Sequence, residues 1–528
     1  MAERFVRAYL QAHRRARAFI PQRYDVAATR ASVVARASKR GVAPAVQDAL
    51  RRQNAQFAAS PQREAHLQAL AAPGTTCVVT GQQVGLFLGP LYTLYKAASA
   101  VICAQALQQE TGQTVVPVFW LQSEDHDFEE LATAWLPEGG AGLKALTAEG
   151  DSAGRASIAH RPLGPDLPDL LQQMEQGLAG LPHGQATLSR IRAHYRSGLT
   201  WVQAFAGLLA ELFADEGLLL LDPRDPSLAA AARGVHQRAL EQAPEIAEAL
   251  SRRSRALQEA GFSVPVHIRT DAPLSFFHPD GAEGPRYRLS PAAEGWSLVG
   301  TERQISNHDL QGRLQAHPEQ FSSSALLRPI LQDSWLPTAA YVAGPGEIDY
   351  FAQMQPLYDA FDLPMPLLVP RARFAVTHAK QHKALLALGL SPEDLDVDRE
   401  DLILKTSPQR SFDPSDMEQR MLLSLEQEFR RMQDNLPGIS KSIERTRDTV
   451  QRACNKLLTK YELGLAQADT QRVAMIDRLQ QALYPQRAPQ ERLLGLPYFA
   501  ALYGDRDFVE AVLQACTPYE GALKELQL

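Results

Sequence analysis

The chain has 528 residues, of which 45% are hydrophobic and 22% charged, and its formal net charge is -6. At roughly 100–200 residues per domain, this length predicts about three or four structural units. The mildly acidic balance argues against broad affinity for nucleic acid or for an acidic membrane. No stretch approaches about 18 uninterrupted apolar residues and the N-terminus has no apolar signal region, so we expect a soluble, cytoplasmic protein without a membrane partner.

Cysteine spacing bears on metal binding and on disulfides. Cys77, Cys103, Cys454 and Cys516 lie far apart and form no CxxC pair. This spacing argues against a zinc knuckle and against a disulfide scaffold, so we expect buried, reduced thiols. The sequence does not locate a ligand set for a metal, and the metal requirement stays open.

The most informative segment is a glycine-rich turn after a short apolar run. Residues 1–70 predict helices, and residues 77–79 then predict a buried strand that leads through the turn into an apolar helix. In α/β proteins, this order of strand, glycine turn and helix places a helix N-terminus where an anion can bind. The predicted binding residues of this segment are Thr80, Gly81, Gln82, Gln83, Gly85, Gly89, Tyr92 and Lys96.

An acidic cluster follows the second predicted strand. Residues 115–121 form a continuous apolar run, which is typical of a parallel strand covered on both faces. Because ligands of open α/β sheets bind beyond the carboxyl ends of the strands, we expect the cluster beside the glycine turn. It consists of Glu124, Asp125, His126 and Asp127, with Asp125 and His126 the first candidates for catalysis. A solvated helix start explains the same acids equally well.

Further strands indicate the fold class. Apolar runs at residues 218–221, 339–343 and 366–370 alternate with helical segments, which predicts a doubly wound parallel sheet. Residues 264–269, 286–289 and 296–299 alternate polar and apolar side chains and predict a small antiparallel patch. Polar residues near the strand at 339–343 are Arg328, Gln332, Asp333, Gly344 and Glu347, of which Arg328 and Asp333 could form a structural pair or contact a ligand. Arg371 and Arg373 follow the strand at 366–370, where they could contact phosphate or lie on the surface.

Heptad spacing characterises the last third of the chain. Apolar residues recur at 422–436 and again from 439 to 457 on either side of Pro437-Gly438. This predicts an antiparallel helical coiled coil over residues 376–485, with a second helix of about 45 residues, and a helical segment over 486–528. The seam of the second helix is longer than its hairpin partner can cover, so we expect a homodimer.

These motifs resemble the BshC family, the cysteine ligases of bacillithiol biosynthesis. The resemblance rests on residues 80–96 with 117–128, and it returns at 327–350, 365–371 and 490–492. It implies a Rossmann-like core similar to class I aminoacyl-tRNA synthetases, with connecting-peptide-like insertions and a dimerising coiled coil. The core would comprise residues 1–135 and 211–375, with an insertion at 136–210.

The resemblance also implies an activity. A ligase of this family would join cysteine to the amine of glucosaminyl-malate, by default through an adenylate, with a nucleotide such as ATP or ADP as the expected cofactor. The acidic cluster would bind the amine or transfer protons. The resemblance adds Trp120 to the binding residues, beside Arg328, Gln332, Asp333, Gly344 and Glu347.

A second interpretation is a coiled-coil assembly factor or RNA-binding factor on a degenerate synthetase core. Residues 87–90 keep only the glycine of a His-x-Gly-His signature, and no Lys-Met-Ser-Lys-Ser stretch follows the last strand. The dense polar groups at the strand ends favour an enzyme, and the acidic net charge disfavours RNA. No serine elbow or Cys/His pair appears, so positioning and electrostatic stabilisation are the expected means of catalysis.

Overall fold

The structure is a computed structural model that describes residues 3–138, 142–150, 154–269, 272–407 and 415–528, with 415–418 described by their backbone only. The chain divides into two compact units. One comprises residues 1–374 with 491–523, and the other residues 375–490 with 524–528. No helix in the described ranges combines the length and the apolar character that a membrane span requires.

Helices surround the sheets of the first unit, and the first five of them confirm the helical prediction for residues 1–70. The helices of this unit are Phe5–Leu10, Arg14–Arg17, Ala27–Ala37, Pro44–Asn54, Pro61–Ala71, Tyr92–Thr111, Phe128–Leu131, Leu167–Leu178, Gly184–His194, Trp201–Leu212, Ala229–Glu241, Ala243–Glu259, Asn307–Ala316, Leu327–Trp335, Pro345–Phe351, Gln355–Ala360, Gln490–Leu493, Leu496–Tyr503 and Asp505–Ala515. Short 3-10 turns lie at Leu86–Leu88, Ile158–His160, Pro226–Leu228 and Pro318–Gln320.

The strands follow in chain order. They are β1 (Thr76–Gln83), β2 (Val115–Gln122), β3 (Thr133–Glu138), β4 (Gly142–Thr147), β5 (Leu219–Leu221), β6 (Ser275–Phe277), β7 (Tyr287–Ala292), β8 (Gly295–Leu298), β9 (Gln304–Ile305), β10 (Phe321–Ser323), β11 (Thr338–Ala343), β12 (Leu367–Pro370), β13 (Arg373–Thr377) and β14 (Leu523–Gln527). The last strand corrects the prediction that residues 486–528 are helical throughout.

A five-stranded parallel sheet forms the centre of the first unit. Its order is β12-β11-β1-β2-β5, and every pairing in it is parallel. The continuous apolar runs predicted as buried strands are these five, and seven of the eight residues of β2 are buried. This confirms the Rossmann-like α/β prediction. The strand order reverses between β1 and β11, which creates the topological switch point where such sheets bind ligands.

A second sheet is antiparallel, in the order β10-β6-β7-β8-β9, and β3 pairs with β4 in a separate hairpin. Strands β7 and β8 confirm two of the predicted alternating segments. The strand predicted at residues 264–269 is wrong. There the side chain of Gln353 accepts from the Val266 N–H at 3.2 Å and donates to the Val266 carbonyl at 2.9 Å, so a side chain takes the place of a neighbouring strand.

The second unit contains a helical hairpin. Its helices are Ala379–Leu388, Arg399–Lys405, Ser415–Asn435, Ser440–Gln467 and Thr470–Leu483, with 3-10 turns at Pro392–Leu395, Pro437–Ile439 and Pro485–Arg487. The prediction of one helix of about 45 residues is wrong, because the helix that begins at Ser440 ends at Gln467 and a separate helix begins at Thr470. Asp469 caps the next helix by accepting the N–H of Arg472 at 3.0 Å, which gives the backbone an alternative to continuing the first helix.

The hairpin buries only part of its apolar surface. Phe429, Ile443 and Cys454 are buried. Met432, Leu436 and Leu457, which the heptad pattern assigned to the seam, are 49%, 60% and 60% exposed. Among the hairpin side chains that the structure describes, the exposed large apolar ones are Met421, Leu423, Met432, Leu436, Leu457, Tyr461 and Leu465.

We predict that the protein is a homodimer joined through this hairpin, because pairing two copies would cover these side chains. Light scattering of the wild type should give twice the chain mass of 58.1 kDa. Changing Leu457 and Leu465 together to Glu should give monomers, since both are exposed and the internal seam stays intact. Leu386→Glu, at a leucine that is 66% exposed on another helix of the same unit, should remain dimeric. A wild-type mass near that of one chain would contradict the prediction.

Candidate active site

A cleft of about 310 Å³ opens at the switch point between β1 and β11. Nine of the predicted site residues line it, from three segments of the chain: Gly81, Gln82, Gln83, Tyr92, Lys96, Asp125, Arg328, Gly344 and Glu347. Eight further residues complete its wall: Gln122, Glu130, Ala325, Pro345, Gly346, Tyr350, Arg371 and Arg492. The parallel sheet explains this convergence, because the carboxyl ends of its strands meet at one edge.

Lys96 anchors the floor of the cleft. Its side chain is 5% exposed, and its Nζ lies 2.5 Å from Glu347 Oε2, 2.7 Å from the Gly81 carbonyl and 3.0 Å from Gln82 Oε1. Three acceptors therefore match the three protons of an ammonium group. Burial lowers the pKa of Lys96, while the Glu347 carboxylate opposes that change.

Glu347 collects hydrogen bonds from three different donors. Besides Lys96, it accepts from the Tyr341 hydroxyl at 2.6 Å and from the Gly344 N–H at 2.7 Å. Burial alone would raise the pKa of Glu347, but Lys96 and Arg328 lower it below its ordinary value. The carboxylate is therefore ionised, and it holds the turn after β11 against the helix Tyr92–Thr111.

Two arginines of the cleft differ in their partners. Arg328 is 4% exposed and donates to the hydroxyls of Tyr350 at 2.7 Å and Tyr341 at 3.2 Å and to Gln332 Oε1 at 3.3 Å. Glu347 interacts with it electrostatically, but no carboxylate of the described residues lies within ion-pair distance of Arg328. Arg371 forms a bidentate pair with Glu491 at 2.7 and 3.0 Å, and both side chains are buried. Arg371 is therefore part of the interior rather than of the surface. Arg328 is the better site for an anionic group.

The acidic side of the cleft is built around Asp125. Its Oδ2 accepts from Gln83 Nε2 at 2.9 Å, and its Oδ1 accepts from Arg286 Nη2 at 3.0 Å and from the His126 N–H at 2.7 Å. The same Gln83 amide donates to Glu130 at 3.2 Å. Burial alone would raise the pKa of Asp125, but Arg286 and these hydrogen bonds lower it, so the carboxylate is ionised.

His126 lies next to this carboxylate without lining the cleft. Its Nδ1 accepts a hydrogen bond from Arg286 Nε at 3.0 Å. Burial and the neighbouring Arg286 lower the pKa of His126 below its ordinary value, so the ring is neutral near pH 7.

The other predicted residues lie in the interior or outside the cleft. Glu124 is buried and accepts from the N–H of Ser323 at 3.0 Å and from its hydroxyl. Thr80 donates to the Val342 carbonyl at 2.9 Å. The residues that the structure does not bring to the cleft wall are Thr80, Gly85, Gly89, Trp120, Glu124, His126, Asp127, Gln332 and Asp333.

Gln332, Asp333 and Trp120 contact partners in the protein interior instead of the cleft. Asp333 accepts from the Tyr358 hydroxyl at 2.6 Å and from Gln332 at 2.9 Å. The ring of Trp120 packs 5.6 Å from that of Trp335. Asp127 is exposed.

The glycines of the turn approach the protein's own backbone. A Cβ atom on Gly85 would lie 3.0 Å from Gly89 Cα, and one on Gly495 would lie 2.8 Å from the Gly89 carbonyl oxygen. Gly89 has a φ of 64°, and the preceding Leu88, at 72°, donates its N–H to the Tyr195 hydroxyl at 3.2 Å. Close approach to the Gly89 backbone explains the glycine at position 85, and the positive φ explains the one at position 89, so neither requires contact with a ligand.

Some cleft residues escaped the prediction although the sequence carried a signal for them. Tyr350 and Arg492 belong to the motifs on which the family resemblance rests, as does Arg371, for which the sequence allows either contact with phosphate or a surface position. Arg286 begins a segment predicted as strand, but nothing local showed that it contacts residues 160 and 161 positions earlier. In the described ranges, no group of three or more His, Cys, Asp and Glu side chains is placed to hold a metal.

Comparison with known proteins identifies the family. Residues 1–372 match the model described as bacillithiol biosynthesis BshC, N-terminal Rossmann-like domain, and residues 374–528 match the BshC C-terminal coiled-coil domain. The chain belongs to the BshC family. This confirms the family resemblance and the combination of a Rossmann-like core with a C-terminal coiled coil that the sequence predicted.

Similar proteins carry the name "Putative cysteine ligase BshC". That of Koribacter versatilis is 34% identical, over 90% of this chain and 88% of its own length. The protein of Salinibacter ruber is 31% identical, over 90% of this chain and 87% of its own length. The protein of Solibacter usitatus is 32% identical, over 83% of this chain and 82% of its own length.

We predict that Glu347→Gln destabilises the first unit by about 3–5 kcal/mol, because it leaves a buried ammonium without its counter-ion. The new amide would also place N–H groups against three donors. Urea unfolding followed by circular dichroism measures the change. The control is Glu248→Gln, which removes an exposed pair with Arg252 and should cost less than about 1 kcal/mol. Equal losses for the two variants would contradict the role of the buried pair.

Proposed function

We propose that this cleft joins the carboxyl group of cysteine to the amine of glucosaminyl-malate through an amide bond. Membership of the BshC family and the names of its relatives support the reaction class. The observation that carries the proposal is the charge of the cleft. It combines an ionised Asp125 with a buried Arg328 that lacks a carboxylate partner among the described residues, as a substrate with an amine and carboxylates requires.

The amine must lose a proton before it can attack. An aliphatic ammonium group binds to carboxylates, and Asp125 and Glu130 are both held by the Gln83 amide at the cleft wall. Asp125 takes the proton that the ammonium loses before attack. Attack of the amine on the activated carbonyl then forms the C–N bond, the activating group leaves with the C–O electron pair, and the second nitrogen-bound proton passes to the departing group or to water.

The anionic groups of the substrates require cations. Arg328 and Arg492 line the cleft, and neither has an ion-pair partner among the described residues. A planar guanidinium group suits a carboxylate or a phosphate equally well. These side chains therefore fit the malyl carboxylates, the carboxyl group of cysteine and the phosphates of a nucleotide.

Activation of cysteine needs a source of energy, because a carboxylate does not condense with an amine in neutral water. A nucleoside triphosphate would supply that activation. The cleft wall contains no Ser, Thr, Cys or His side chain within the described ranges, so the protein's own contribution is positioning and charge stabilisation rather than a covalent nucleophile.

We predict that Asp125→Asn lowers product formation by about 10²–10⁴-fold while the protein still folds, because an amide cannot accept the proton. The measurement is the bacillithiol content of a deletion strain that expresses the variant, beside circular dichroism of the purified protein. Asp362→Asn is the control: its carboxylate is 81% exposed on the same unit and should be dispensable. Wild-type thiol content with Asp125→Asn would refute the assignment.

We also predict that ATP binds the cleft and that Arg328→Gln weakens this binding by about tenfold, which is the effect of losing about 1.4 kcal/mol. Isothermal titration calorimetry with ATP, ADP and AMP measures it. Arg313→Gln, on the helix Asn307–Ala316 of the same unit and absent from the cleft wall, serves as the control. No heat with any nucleotide at millimolar concentration would remove ATP from the proposal.

A further inference from the structure

Arg286 connects the antiparallel sheet to the acidic side of the cleft. It directly precedes β7, is 6% exposed, and its guanidinium lies 4.3 Å from the centre of the Phe276 ring in β6. It donates from Nε to His126 Nδ1 at 3.0 Å, from Nη2 to Asp125 Oδ1 at 3.0 Å, and from Nη1 to the Ser323 carbonyl at 3.4 Å. The second sheet thereby fixes the guanidinium against two adjacent side chains of the acidic cluster.

The bond to His126 determines where the imidazole proton lies. An arginine in a protein only donates hydrogen bonds, so Nδ1 must accept and cannot carry a proton. The proton of the neutral ring is then on Nε2. An imidazolium would direct a second N–H at the Arg286 Nε–H across 3.0 Å, so His126 has no site at which to take a proton without breaking this contact.

The charged groups around His126 act on its pKa in opposite directions, and the net change is downward. Arg286 and Arg155 lower the pKa of His126 in addition to burial, whereas Asp125 and Asp127 raise it. The resulting pKa is below the ordinary histidine value. On the β6 side the Phe276 ring, whose centre lies 6.4 Å from that of the imidazole, carries no charge.

The two oxygens of Asp125 have different surroundings. Oδ1 accepts from Arg286 and from the N–H of His126, with a longer contact of 3.4 Å from the Asp127 N–H. Oδ2 accepts from Gln83 alone among the described residues. A carboxylate oxygen has room for two donors, so Oδ2 can bind one further N–H group.

We propose that Arg286 is a positioning residue that makes Asp125 Oδ2 the proton acceptor of the cleft and withholds that role from His126. This inference rests on the proposed function and refines it: one proton passes from the substrate ammonium to Oδ2, and His126 keeps its single proton throughout. Arg286 itself contacts neither substrate and acts through the two side chains that it holds.

The first test reads the tautomer of His126 without any substrate. Protein labelled with ¹⁵N-histidine gives ring nitrogen signals by NMR, and a His126→Gln variant identifies those of His126. We expect Nδ1 unprotonated and Nε2 protonated, with no titration as the pH falls from 8 through about 6.5, the ordinary histidine pKa. A proton on Nδ1, or titration near the ordinary value, would overturn the inference.

The second test compares the pH dependence of kcat/KM between the wild type and Arg286→Gln. Removing the cation raises the pKa of Asp125, so activity should fall away on the acid side at a pH that is about 1 to 3 pH units higher. Arg155→Gln is the matched control, because Arg155 faces His126 electrostatically but is exposed and forms no hydrogen bond with it. The acid limb of its profile, that is, the fall of kcat/KM at low pH, should stay close to that of the wild type.

Arg286→Lys covers the case in which Arg286→Gln does not fold. A lysine ammonium lacks the forked geometry with which a guanidinium binds Asp125 and His126 together. We therefore expect the kcat/KM of Arg286→Lys to fall on the acid side at a pH between those of the wild type and of Arg286→Gln. Identical acid limbs in all variants would overturn the inference. If the wild type makes no amide but His126 has the expected tautomer, the proposed function fails and the role of Arg286 in fixing the two side chains stands.

Discussion

The buried ammonium of Lys96 is the constraint on which the cleft depends. An ammonium that is 5% exposed is stable only if each of its protons has an acceptor. The acceptors come from the end of β1, through Gly81 and Gln82, and from the turn after β11, through Glu347. The Lys96 ammonium therefore connects β1, the turn after β11 and the helix Tyr92–Thr111 at the point where the strand order reverses.

The rest of the site follows from that arrangement. Glu347 must be ionised to stabilise Lys96, and its other hydrogen bonds fix Tyr341 and the Gly344 turn. The acidic side is held separately, because Arg286 reaches it from the antiparallel sheet. The cleft thus contains an acidic and a basic region. Hydrogen bonds and ion pairs to residues outside the cleft fix the side chains of each region, so the charged groups are oriented before a substrate binds.

The sequence predicted the parts of this structure that depend on local pattern. All five strands of the central sheet appear as continuous apolar runs, and residues at their carboxyl ends, such as Gln83 and Asp125, converge as the rule for α/β sheets requires. Three features were beyond local pattern. Glycine at 495 allows close approach to the distant Gly89 backbone, Asp469 interrupts a helix that periodicity would continue, and Arg286 reaches the acidic cluster from a different sheet.

An experimental structure of the protein with glucosaminyl-malate bound tests the role of the cleft most directly. We expect the ligand in the cleft at the switch point, with its amine nitrogen hydrogen-bonded to Asp125 Oδ2 and its malyl carboxylates beside Arg328. A ligand bound outside the cleft, or one whose amine is directed away from Asp125, would contradict that role.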